Sequence, residues 1–121
     1  MSKILIVDDS STIRKLVKFT LQMKKHEVTL AEDGLQAYRL FMQYDFDLII
    51  TDLNMPIMNG IELIKKIRLG SKFKDIPIIL LTTESEEKDK KMGEKVGVTK
   101  YITKPFQPPK LLKEIEEILK S

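Results

Sequence analysis

The chain has 121 residues, 42% hydrophobic and 32% charged. That fits one soluble globular domain, expected to span 1–121, and excludes disorder. It has no cysteine and one histidine, His26, which excludes disulfides, a cysteine nucleophile, thiolate metal sites and a His-rich metal centre. Its 21 Lys and Arg against 18 Asp and Glu leave a charge of +3, too little for a dedicated nucleic-acid binder; the longest apolar run, Ile78 to Leu81, is too short for a bilayer, and without a signal peptide a cytoplasmic location is expected.

Short β-branched runs alternate with helical stretches. The first strand is Lys3 to Val7. Ile13, Leu16, Val17, Thr20 and Leu21 then keep the i, i+3, i+4 spacing of a helix over Ser11 to Met23, with Ser10 or Ser11 as its cap. Val28 to Ala31 is the second strand. Asp33 caps a second helix running to about Met42, with Leu35, Tyr38, Phe41 and Met42 expected inside. Leu48 to Thr51 is the third strand, and Pro56 and Asn59-Gly60 break the chain after it. A third helix carries Ile61, Leu63, Ile64 and Ile67 and ends near Gly70. The fourth strand is Ile76 to Leu81, and a Lys/Glu-rich fourth helix follows from about Ser85 to Val96, with Gly97 suited to its left-handed cap. Tyr101 to Thr103 is a short fifth strand. After Pro105, Pro108 and Pro109, a fifth helix aligns Leu111, Leu112, Ile115, Ile118 and Leu119.

This is a (βα)5 pattern, read as an α/β fold with a doubly wound five-stranded parallel sheet and right-handed crossovers. Such sheets bind ligands beyond the carboxyl ends of their strands, where the strand order reverses. The first strand ends in Asp8-Asp9, the third in Asp52; the fourth delivers Thr82 and Thr83, the fifth Lys104. If strands one and three are neighbours, three carboxylates converge. At an effective dielectric near 20 and about 4 Å, each like-charge pair costs roughly 4 kcal/mol before screening. Hard oxygen ligands without His or Cys suit Mg²⁺ or Mn²⁺. Three aspartates, one divalent cation and one lysine sum to zero, and the metal keeps positions open for a phosphate. Each residue alone reads more readily as a helix cap or a surface lysine; the set together does not.

The runs Ile6-Val7-Asp8-Asp9-Ser10, Thr51 to Gly60, Leu81-Thr82-Thr83 and Lys104-Pro105-Phe106, in this order and spacing, resemble the receiver domain of two-component response regulators. The single-domain CheY-type chemotaxis regulators are the nearest likeness. The resemblance covers the whole chain and implies the flavodoxin-like strand order 2-1-3-4-5. It implies that Asp52 accepts a phosphoryl group from a histidine kinase, with Mg²⁺ as cofactor and Mn²⁺ able to substitute. Asp9 would be the direct metal ligand and Asp8 its helper, while Asp52 and the backbone carbonyl of Asn54 complete the metal set. Lys104 would pair with a phosphate oxygen through a loop with a cis Lys104-Pro105 peptide, and Thr82 would hydrogen-bond the phosphoryl group. Thr82 moving toward that group, with Tyr101 filling the space it leaves, would be the switch.

The changed surface would be the face of helix four, strand five and helix five, which carries Lys88, Lys90, Lys91, Lys95, Lys100 and Lys104. The implied output partner is the flagellar motor switch, with a phosphatase as a further possible partner; no nucleic acid or membrane partner is implied, and a monomer is expected. Asn54, Thr83 and Glu84 are the positions implied to set the phosphoryl lifetime. Thr83 departs from the family's usual smaller residue and would crowd the phosphorus. His26, at a helix–strand turn, is no phosphoacceptor.

A phosphorelay intermediate or a receiver excised from a longer regulator would share these residues. Direct transcriptional control is not expected of the sequence as it stands, since no DNA-binding segment follows Ser121. An enzyme of the haloacid dehalogenase type also uses Asp, Lys and Mg²⁺, but it wants a second Asp where Asn54 stands and a longer chain. A flavodoxin would need hydroxyls and glycine in place of Asp8-Asp9. The expected role is therefore a signalling protein, not an enzyme, catalysing only its own phosphorylation and dephosphorylation.

Overall fold

The computed structural model describes residues 2–83, 91 and 94–120. Five strands, β1 (Lys3–Val7), β2 (Glu27–Ala31), β3 (Leu48–Asp52), β4 (Ile78–Thr83) and β5 (Lys100–Lys104), form one parallel sheet in the order β2-β1-β3-β4-β5. Around it lie α1 (Ser11–Gln22), α2 (Gly34–Gln43), α3 (Gly60–Arg68) and the C-terminal helix α4 (Pro108–Lys120). The helix expected over 85–96 lies mostly outside the described residues, although Gly97 has the positive φ of +92° expected of its cap.

Side chains alternate across a strand, and here the alternation splits the core in two. Leu5, Val7, Ile49, Ile78 and Leu80 face Ala37 and Phe41 of α2 and Ile61, Ile64 and Ile67 of α3. Ile4, Ile6, Leu48, Ile50, Ile79 and Leu81 face Val17 and Leu21 of α1 and Leu111 and Ile115 of α4. Both faces of the central strands are buried, so these strands read as unbroken aliphatic runs. The sheet is the expected one, and the strand ends fall where the chemistry was placed.

The differences are local. The fourth strand starts at Ile78 rather than Ile76 and continues through Thr83. Proline lacks the N–H a ladder needs, so pairing starts after Pro77. Leu16, one of the periodic apolar residues of α1, is 38% exposed, and Met42, expected inside, is 49% exposed. Each is one residue away from a buried position, Val17 and Phe41; about 100° of helical rotation carries it to the flank of the apolar stripe. The buried side of α2 is instead Gly34, Ala37 and Phe41.

Two glycines let the backbone of the site close up. A Cβ on Gly60 would lie 2.3 Å from the carbonyl oxygen of Asp52, and one on Gly34 would lie 2.4 Å from that of Met58. Gly60 N–H donates to the Leu53 carbonyl at 2.8 Å, and Gly34 N–H to that of Met58 at 3.0 Å. The loop after β3 is thereby bolted to the starts of both α3 and α2. Inside it Ile57 takes a φ of 69°, and Met58 N–H donates to the Pro56 carbonyl at 2.7 Å, a tight turn of the strained γ kind. At its far end Asn59 caps α3 in a reciprocal capping box with Glu62. Gly60→Ala is expected to lower stability by about 1–3 kcal/mol, because backbone must shift to admit the methyl. The check is the urea midpoint, which should fall at unchanged m-value.

Candidate functional site

The register sets the positions. Val7 pairs with Thr51, Asp52 with Leu81 and Thr83 with Lys104, so the carboxyl ends of β1, β3, β4 and β5 finish along one edge. Asp8 follows β1 and is fully buried. Its Oδ1 accepts from the Ser10 N–H at 2.9 Å, and its Oδ2 accepts from Lys104 Nζ at 3.0 Å. Asp52 Oδ1 accepts from its neighbour Leu53 N–H at 2.9 Å and lies 3.1 Å from the same Lys104 Nζ. One ammonium thus bridges two carboxylates from different strands. Asp9 is exposed, and one carboxylate oxygen from each of Asp8, Asp9 and Asp52 lies within 4.8 Å of the others.

The electrostatics follow. The Asp52 carboxyl is pushed above its ordinary value by burial and then by the charge of Asp8, with Lys104 pulling the other way. For Lys104, burial works against the charge, but its hydrogen bond to Asp8 and the charges of Asp52 and Asp8 outweigh it and raise its pKa. The oxygen-only donor set fits a hard divalent cation such as Mg²⁺ or Mn²⁺. A second observation fits an oxyanion: Thr82 is fully buried, and its hydroxyl has no hydrogen-bond partner among the described residues. A buried hydroxyl left without a partner is uncommon and calls for an explanation.

The structure thus brings Asp8, Asp9, Asp52 and Lys104 together and places Thr82 two residues beyond Leu80, the partner of Tyr101 across the ladder. Tyr101 is half-buried, its hydroxyl pKa raised by burial and by Glu94. Lys104-Pro105 is cis. Asn54 and Thr83 are exposed at the same edge, while Glu84, Lys88 and Lys90 lie outside the described residues. Of the remaining lysines, Lys100 pairs with Glu114 of α4 at 3.0 Å, and Lys91 and Lys95 are exposed. His26 accepts from the Ser2 N–H at 3.1 Å, and its pKa is lowered chiefly by burial.

Sequence reasoning missed Arg14, whose Nη1 donates to the Asp8 carbonyl at 2.7 Å. The signal was available: Arg14, Val17 and Leu21 share the i, i+3, i+7 spacing of one face, an odd place for a charge that faces only water.

A group whose pKa is raised in the fold binds its proton more tightly there, so in ionised form it opposes folding. Asp52→Asn is therefore expected to raise the Tm of the metal-free protein at pH 7. That gain should shrink as pH falls and wild-type Asp52 becomes protonated. Thermal melts across pH, without divalent cation, check it.

The response regulator receiver domain family matches residues 4–116 of the chain. The chain is 46% identical over 119 residues to the chemotaxis protein CheY1 of Helicobacter pylori, covering 97% of this chain and 96% of that one. It is similar to the structure of the chemotaxis response regulator CheY4 of Vibrio cholerae, with a TM-score of 0.92, 44% identity and 98% of each chain covered. It is also similar to the receiver domain of a sensor histidine kinase from Pseudomonas aeruginosa, which holds a magnesium ion in its active site cleft; there the TM-score is 0.91 and the identity 28%, over 99% of this chain and 98% of that one. With its sheet order, its strand-end carboxylates and these likenesses in agreement, the chain belongs to the response regulator receiver domain family.

Proposed function

We propose that this chain is a phosphorylation-activated, CheY-type chemotaxis regulator, working in the cytoplasm, that takes a phosphoryl group from a histidine kinase onto Asp52. The observation that carries the reading is Lys104 Nζ held at 3.0 Å from Asp8 and 3.1 Å from Asp52 beside the exposed Asp9. Asp52 supplies the nucleophile. Its carboxylate oxygen forms a bond to phosphorus as the bond from phosphorus to the donor's imidazole nitrogen breaks, and the imidazole keeps that electron pair and takes a proton. Asp9, with Asp8 in support, Asp52 and the Asn54 carbonyl, would hold Mg²⁺, which would neutralise charge on the transferring group. Lys104 pairs with a phosphoryl oxygen, and Thr82 offers it the hydroxyl that otherwise lacks a partner.

The product is an acyl phosphate, a charge change at one atom with a wider readout. Thr82 turns toward the phosphoryl group and Tyr101, on the same face of the neighbouring strand, moves into the vacated space. The surface so altered includes β5, α4 and the exposed Lys91 and Lys95. It suits an acidic output partner such as the flagellar motor switch.

Incubated with Mg²⁺ and acetyl phosphate, the protein should gain one phosphate by intact mass and Asp52→Asn should gain none; equal labelling of the variant would rule out Asp52 as acceptor. Thr83 and Asn54, with Glu84, set the phosphoryl lifetime in this reading. Thr83 crowds the attacking water, so Thr83→Ala should release phosphate about tenfold faster, about 1.4 kcal/mol of barrier, at unchanged Mg²⁺ affinity. Phosphate release from preloaded protein at saturating Mg²⁺ measures it, and an equal or slower rate in Thr83→Ala counts against the steric gate.

A further inference from the structure

The peptide that links the two acidic residues after β1 is held by a side chain from outside the carboxylate set. Arg14 lies in the first turn of α1, and its side chain is only 14% exposed. Its Nη1 donates to the Asp8 carbonyl at 2.7 Å. Its Nη2 lies 3.5 Å from Glu32 Oε1, just past the end of β2. Glu32 is 71% exposed, and a pair so open to water holds weakly. The strong partner is the carbonyl, because a hydrogen bond from a charged donor to a neutral acceptor is worth more than a neutral one.

That carbonyl belongs to the peptide unit whose nitrogen is the Asp9 N. Because a peptide is planar, fixing its oxygen fixes the plane from which the Asp9 side chain departs. The other handles on this turn act elsewhere. Asp8 N–H donates to the Ala31 carbonyl at 3.1 Å, Asp8 Oδ1 accepts from Ser10 N–H, and Ser10 caps α1. Asp9 itself is exposed, with no other described contact to orient it toward Asp52. We infer that Arg14 is a positioning residue for the cation site, aiming Asp9 through the Asp8–Asp9 peptide. This inference rests on the reading of Asp8, Asp9 and Asp52 as a Mg²⁺ site.

The test compares wild type, Arg14→Met, Arg14→Lys and Glu32→Gln by ¹⁵N–¹H correlation spectra of the full chain, first metal-free and then titrated with MgCl₂. Arg14→Met should shift the amides of Asp9 and Ser10 in the metal-free protein and weaken Mg²⁺ binding about tenfold. Arg14→Lys, which restores a charged donor, should recover part of the affinity, and Glu32→Gln should stay within about twofold of wild type. Equal Mg²⁺ affinity in wild type and Arg14→Met would overturn the inference while leaving the cation site intact. A Glu32→Gln loss as large as that of Arg14→Met would overturn it too, by assigning the effect to the ion pair. If Arg14→Met does not fold, Arg14→Ala, which also removes the donor, decides in its place: a moved Asp9 amide with weakened binding supports the inference, and wild-type behaviour in both overturns it. A wild type whose Asp8, Asp9 and Asp52 resonances ignore Mg²⁺ would instead remove the reading on which the inference stands.

Discussion

Two carboxylates that would repel each other share one ammonium, and the edge of the sheet is organised around that fact. Lys104 comes from the end of the last strand, Asp8 from the end of the first and Asp52 from the third. Nothing local in the sequence brings them together; only the parallel register does. Asp8 is fully buried, and a buried carboxylate without a partner would be costly. The lysine makes its burial tolerable, but one positive charge does not neutralise two negatives, still less three with Asp9. The site therefore carries a surplus of negative charge; burial first, and then the Asp8 charge, pushes the Asp52 carboxyl above its ordinary value, and the donor geometry suits a cation.

The aliphatic sheet exists to hold that surplus in place. Backbone hydrogen bonds fix the strand ends along one edge, and helices on both faces bury the central strands. The closest approaches fall next to the chemistry. Gly60 leaves no room for a Cβ against the Asp52 carbonyl, nor Gly34 against that of Met58. The positive φ of Ile57 lies in the same loop. Strain of this kind, of order 1–3 kcal/mol per residue, persists only where surrounding contacts over-determine the backbone. Here the capping box of α3 and the hydrogen bond to α2 supply those contacts.

Much of this was legible in the residues. Strand positions followed from β-branched runs, because strands buried on both faces need them, and the carboxylates stood where each run stopped. The strand order was not contained in any run; the resemblance supplied it, since pairing depends on contacts distant in sequence. Burial on the flank of α2 was misjudged at Met42 because hydrophobicity marks a stripe but not its edges. Arg14 escaped notice although its spacing with Val17 and Leu21 marked it as facing inward; what that spacing could not show is its acceptor, and only the fold reveals that this is the Asp8 carbonyl. The capping role of Asn59 was obscured by reading Asn-Gly solely as a breaker, although Glu62, three residues on, marked a capping box.

One buried hydroxyl bears on the proposed switch. The Thr82 hydroxyl is buried and lacks a hydrogen-bond partner among the described residues, a condition that costs about 1–3 kcal/mol. A phosphoryl group on Asp52 would offer that hydroxyl strong acceptors and remove the cost. In a two-state equilibrium, a differential of 1–3 kcal/mol moves populations by about 5–150-fold. In the proposed switch, a single orphaned atom is thus large enough to bias Tyr101 between two packings without any rearrangement of the sheet. The bias would also run in reverse: a partner that binds the inward arrangement of Tyr101 would favour the rotated Thr82 and, by linkage, stabilise the phosphorylated protein.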